Sequence, residues 1–391
     1  MKKFLPVIVL LALSFAAGAQ HFDYNVNFDY LVSNYEYDRS HNVFDDSYTL
    51  HAARLTPEIG ILAHQGRNMF HRVRIGADFM REMGEPAPVS SILKEVVMYY
   101  NLEAVLDNGA KFEAIAGCFP RYFSEGVYIG PFFDDDVIFY DNNIDGFFVK
   151  YRTDKLYSEF GLDWLGKLGT EEEPYRRERF QVLTTGLWNF AGDFNLGWAG
   201  SFYHFATAPE LPNVVDNHMF NPWVEWTPQS WFDEVKVGAG MLFTYQCDRA
   251  DNMHVEMPMG FYSQQLLGKW NLYVDNHFYF GDDLAPFYSR SFNGVMYGDE
   301  LYRSDLGFHT QQDRPSWADF LTVRYEPEIA NWFTLDIFFT FHFGTPSEAL
   351  GSPFFRGWQQ AIQLRFNLDN LRDEYRKSMP RRRHYRYGIH L

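Results

Sequence analysis

Cysteine is nearly absent: Cys118 and Cys247 are the only two in 391 residues. Such a pair cannot build the disulfide framework of a small exported domain, and its spacing matches no metal or redox motif. Cys118 falls at an apolar alternation position, where a small buried or lipid-facing residue belongs. Long apolar runs are missing too. Beyond the first twenty residues nothing reaches the ~20 consecutive apolar residues of a spanning helix, and mean hydropathy is −0.33. Positive charge is scarce, with 34 Lys and Arg against 51 Asp and Glu, a net of −17; a nucleic-acid partner is excluded on that balance. There is no HExxH, no GxSxG and no phosphate-binding glycine loop. The chain therefore reads as a non-enzyme, with no catalytic residue to name.

Aromatic residues are plentiful, at 19% of the chain. The start, MKKFLPVIVLLALSFAAGAQ, has two lysines, an apolar run from Phe4 to Ala16 and the small residues Ala17-Gly18-Ala19. This is the layout of a secretory signal over residues 1–19.

Strands recur after it. In HRVRIGADFM, Val73, Ile75, Ala77 and Phe79 alternate with Arg72, Arg74, Gly76 and Asp78, so an extended chain has one apolar and one polar face. KVGAGMLFTYQ (236–246), TLDIFFTFHF (334–343) and WQQAIQLRFNL (358–368) repeat the pattern. Each is about ten residues, the length of a tilted strand across a bilayer.

The connections alternate between short and long. Asp107-Asn108-Gly109, Thr153-Asp154-Lys155, Ala191-Gly192-Asp193 and Leu267-Gly268-Lys269 read as tight turns, whereas 120–143, 166–177, 206–217, 248–258, 281–318 and 344–357 read as long loops. Trp231, Trp270 and Trp332 fall in or just after short turns, at one height, as an interfacial belt would. Pro228 and Pro327 end strands by removing an amide donor.

Signal, alternating spans, short turns on one side, long loops on the other and aromatic girdles together resemble the outer-membrane porins of Gram-negative bacteria, over residues 21–368. The resemblance is architectural. It implies an all-β fold, a transmembrane antiparallel β-barrel of about 16 strands (14–18), filling 20–368, with short periplasmic turns and long extracellular loops. It implies a channel for small polar solutes. The chain departs from the pattern by continuing 23 residues past its last strand.

On this reading the pore is lined by Arg72, Arg74, Asp78, Glu103, Glu113, Lys150, Arg152, Glu159, Asp163, Lys236, Asp275, Asp336 and Arg365, a mixed wall whose transverse field favours dipolar solutes. The segment 119–146 is the candidate constriction loop, with Asp134, Asp135 and Asp136 repelling anions. Within it Asp141, Asn143 and Asp145 precede Gly146, as in the first half of a calcium loop. The twelfth position, Arg152, breaks that motif, so calcium is the sole cofactor in view and a solvated acidic loop is the other reading. Phe287, Tyr288, Phe292, Tyr297, Tyr302, Phe308 and Trp317 in 281–318 either stack on carbohydrate or pack on one another.

Two other functions stay open: a barrel scaffold for a secretion or assembly complex, and an outer-membrane lipid hydrolase. Expected partners are outer-membrane lipid and small polar solutes, together with a second copy of the chain or an anionic periplasmic partner. The last would meet the periplasmic tail, 369–391, which holds seven Arg and Lys against three acids.

Overall fold

A computed structural model describes residues 20–37, 47–84, 86, 88–133, 139–211, 213–292, 295–304, 306–309, 315–327, 329–346 and 353–369. The signal, Asp134, Asp135, Asp136 and the tail from 370 lie outside the described residues. Sixteen long strands follow in order: β1 Gln20–Tyr37, β2 Tyr48–Gln65, β3 Met69–Glu82, β4 Leu93–Val105, β5 Lys111–Pro120, β6 Asn143–Arg152, β7 Leu156–Gly166, β8 Arg179–Ala191, β9 Phe194–Phe205, β10 Val215–Trp226, β11 Glu234–Asp248, β12 Met259–Lys269, β13 Leu272–Gly281, β14 Ser316–Tyr325, β15 Phe333–Gly344 and β16 Phe355–Asn367.

Each strand pairs antiparallel with its neighbours in sequence, and β16 returns to β1 from Asn27↔Asn367 to Tyr37↔Gly357. The ladder is therefore a closed barrel without edges, which is how strands satisfy their backbone groups in lipid. Such a barrel is an outer-membrane protein of a Gram-negative bacterium. Connections alternate as the sequence implies: 66–68, 153–155 and 192–193 on one side, 121–142, 167–178 and 282–315 on the other.

Outward side chains are apolar and exposed, among them Val73, Ile75, Val96 and Met98. One predicted turn is displaced. Gly268 lies inside β12, paired with Tyr273, and the chain reverses at Trp270 and Asn271, with φ of 53° and 64°. Both central residues of this two-residue turn need positive φ, and here a tryptophan and an asparagine adopt it where the sequence signal was the nearby glycine. In β10, Pro222 has no amide to give and the β11 ladder skips Asn221 and Pro222. The Asn221 side-chain amide donates to the Met241 carbonyl at 2.9 Å instead.

The apolar core sits inside the barrel. Phe123, Tyr128, Ile129, Phe132 and Phe133 from the connection after β5 pack with inward residues of opposite walls, Ile115 and Phe148 on one, Tyr279 and Phe320 on the other. A second cluster joins Phe287, Tyr297, Leu301 and Tyr302 of the connection after β13 to Tyr203, Phe205 and Val215. At roughly 1.5–3 kcal/mol per buried large side chain, these in-folded segments are held firmly. Phe287, Tyr297, Tyr302 and Phe308 are buried, so their rings are spent on packing and offer no open face to a sugar.

Candidate active site

Of the thirteen residues assigned to the inner wall, register sets several side by side on one face of the sheet: Glu103↔Glu113, Glu113↔Lys150, Lys150↔Glu159, with Asp336 opposite Gln363. Most are tied rather than wet. Arg72 meets Asp23 at 3.0 Å and Glu103 at 3.2 Å; Arg74 meets Asp23 at 2.7 Å, Glu58 at 3.1 Å and Asp369 at 2.8 Å. The Arg74 side chain is 0% exposed. Asp78 is held by Arg54 at 3.0 Å, and Lys150 by Glu113 and Glu125 at 2.6 and 2.8 Å. Arg152 reaches Glu125 at 2.6 Å, Asp163 reaches Arg121 at 2.8 Å, and Asp336 and Arg365 make 3.4 Å pairs with Arg324 and Asp29. Glu159 accepts from the Ser124 hydroxyl at 2.6 Å and from the Glu125 amide at 2.9 Å, Asp275 lies 3.3 Å from His277, and Lys236 is half-buried.

Sequence reading missed the partners. Arg121, Ser124 and Glu125 belong to the segment 119–146 that the sequence marks as entering the barrel, but no local signal names these three as the partners of the wall.

The lipid-facing wall carries a different group. Where β9, β10 and β11 approach the long-loop side, register sets His204↔Asp216↔Cys247 and Phe202↔His218↔Tyr245. These share the outer face with Phe220, Phe243 and Tyr245, all exposed. His204 Nδ1 lies 2.7 Å from Asp216 Oδ1. The other oxygen, Oδ2, accepts from Arg249 Nε at 2.9 Å and Nη2 at 2.8 Å. Phe180 lies beside the imidazole at 4.9 Å between centroids, and Trp164 stacks on Phe180 at 5.5 Å. His218 stacks on Tyr245 at 6.0 Å.

A charge on the lipid face costs roughly 2–4 kcal/mol at the bilayer midplane and ~0–1 near the interface. The group sits at the strand ends on the long-loop side, next to 206–214 and 249–258, where a polar side chain on the outer face costs less than at mid-span. Asp216 is 4% exposed and fully engaged. It fixes the imidazole with Nδ1–H donating, which leaves Nε2 to accept a proton. Arg249 is half exposed and keeps further N–H donors for an anion.

No contiguous motif announces this set, because the three residues come from two strands and the start of a loop. One signal was available: in FNLGWAGSFYHF and VDNHMFNPWVEW the outward series ends on His204 and begins on Asp216 and His218, polar residues in a lipid-facing register.

The three calcium candidates do not converge. Asp141 accepts from Arg121 at 3.0 Å and from Arg303; burial alone would raise its carboxyl, but the two guanidiniums hold it below the usual range. The Asn143 amide donates to Asp78 at 3.1 Å and Glu95 at 2.8 Å. Asp145 instead joins Glu95 and Cys118, whose oxygens and thiol lie within 4.8 Å of one another.

The chain matches the lipid A 3′-O-deacylase-type family over residues 16–371. Among curated proteins none matches it. Among solved structures it is similar to a loop-L8 deletion mutant of OmpT, an outer membrane protein of Vibrio cholerae, with 13% identity, a TM-score of 0.51 and coverage of 89% of this chain and 99% of that one. The in-vitro folded OmpT trimer gives 12% identity, a TM-score of 0.50, and 89% and 99% coverage. At this identity the likeness concerns the fold. The match to a deacylase-type family overturns the expectation of a non-enzyme.

Proposed function

The chain belongs to the lipid A 3′-O-deacylase-type family, and from that premise we propose that it hydrolyses an acyl ester of lipid A at the outer-leaflet end of its lipid-facing wall. The observation that carries this reading is the His204–Asp216 pair, 2.7 Å apart, on the outer face among exposed aromatic residues. His204 Nε2 takes a proton from water. The hydroxide attacks the ester carbonyl, and the tetrahedral oxyanion collapses by expelling the sugar oxygen, which recovers the proton from the imidazolium. The acyl chain leaves as the carboxylic acid, which releases its proton to solvent. Asp216 orients the ring and stabilises its charged form, and the free donors of Arg249 offset the developing negative charge.

An open diffusion channel has less support, since Phe132 and Phe133 occupy the interior and most charged groups assigned to the inner wall are paired. Mass spectrometry of lipid A incubated with the folded barrel tests the proposal. Loss of one acyl chain is expected with the native protein and not with His204→Ala. Release that continues undiminished in His204→Ala, with the barrel still folded, places the chemistry elsewhere.

A further inference from the structure

Away from β9–β11, at the corner where β4, β5 and β6 meet the in-folded segment, Glu95, Cys118 and Asp145 bring two carboxylates and a thiol together within 4.8 Å. Strict alternation would not assemble them. The β3–β4 ladder shifts register between Asp78 and Phe79, opposite Glu95. Gly117, just before Cys118, has φ +125°, and a Cβ there would lie 2.2 Å from the Met98 carbonyl oxygen. Such irregularities re-aim side chains at barrel rims. Cys118 and Asp145 are direct cross-strand partners, so the thiol and one carboxylate are placed by the ladder itself.

A second observation points to a ligand. Asn143 is 4% exposed and planted against Glu95 through its amide nitrogen at 2.8 Å, yet its Oδ1 has no hydrogen-bond partner among the described residues. A buried amide oxygen without a partner is costly. The same amide is anchored on Glu95 through its nitrogen, so this unsatisfied oxygen lies one amide group away from the carboxylates and the thiol.

We propose that Glu95, Cys118 and Asp145, with Asn143 Oδ1, form a binding site for a thiophilic divalent cation of the zinc type. The sulfur decides the class: calcium and magnesium take oxygen ligands, whereas zinc accepts a thiolate at about 2.3 Å with carboxylate oxygens at about 2.0–2.2 Å. Binding displaces the thiol proton to solvent. Asp145 is exposed, which leaves an entry path from the outer side. The ion would clip three strands at the root of the segment that fills the barrel, a role separate from the lipid-facing histidine.

The test uses the full chain folded in detergent, stripped with chelator and titrated with Zn²⁺, then with Cd²⁺ as a spectroscopic probe. One metal ion per chain is expected, with a thiolate-to-Cd²⁺ absorption band. Cys118→Ser should abolish the band and Asp145→Asn should weaken binding about tenfold or more, while Cys247→Ser, whose thiol is buried elsewhere, should change neither. Heat-dependent gel migration confirms that each variant is folded. If Cys118→Ser does not fold, the exposed Asp145→Asn carries the comparison. Absence of stoichiometric metal, or binding unchanged in the folded variants, overturns the site.

Discussion

The inner wall of β1–β4 and the outer rim of β9–β11 both gather ionisable side chains, and they use them in opposite ways. Inside, Arg72 and Arg74 are shared among Asp23, Glu58, Glu103 and Asp369. Removing one member would strand a charge already out of water, so this network acts on assembly. At the rim a single acid, Asp216, serves one imidazole and one guanidinium, and the imidazole keeps a nitrogen for chemistry. The number of charges does not by itself mark a site; on the proposed function the mark is an imidazole nitrogen left open on the lipid-facing side.

The comparison can be broken by substitutions that exchange the two behaviours. Arg74→Ala should have the largest effect, lowering barrel stability by about 3–5 kcal/mol because buried carboxylates lose their partner. Heat-modified migration in gels should drop sharply while any folded fraction still deacylates lipid A. Unchanged migration would show that the wall is hydrated. His204→Ala should do the reverse: migration is retained and deacylation falls by roughly 10²–10⁴-fold, with Asp216→Asn lower in effect but of the same kind. A loss of folding without a specific loss of activity would remove the distinction between rim and wall.

Acid sharpens the comparison further. Because the folded carboxyl of Asp141 lies below its ordinary value, its ion pairs contribute stability above the usual carboxylate pKa of ~3.9. That stability is lost as pH falls through the lowered folded value. Protease access to the 121–142 connection should therefore stay constant from neutral pH down to mild acid and rise only below it, and Asp141→Asn should raise access already at neutral pH. The smallest effect belongs to the short-turn side. Lys269 lies over the Trp231 ring at 4.7 Å, an exposed contact, so Lys269→Ala should cost no more than about 0.5–1 kcal/mol by denaturant titration.

Much of the fold is legible in the sequence alone. Val73 and Ile75 against Arg72 and Arg74 announce a two-faced strand, and the contrast between turns such as 153–155 and loops such as 282–315 orients the whole barrel. The turn at Trp270–Asn271 was misplaced because glycine is the usual bearer of positive φ, and local chemistry did not reveal that the strand runs on to Lys269.

By itself, then, the sequence determined the antiparallel barrel, its orientation and the alternation of faces along its regular stretches, since period-2 alternation and turn residues are local properties of the chain. Only the tertiary structure decided which residues meet. His204 finds Asp216 through inter-strand register. Arg121 finds Asp163 because a long connection folds into the lumen, and Glu95 finds Cys118 through irregularities in two ladders. Register, loop entry and bulges are set by packing across the barrel, so the functional groupings they create carry no contiguous mark in the sequence.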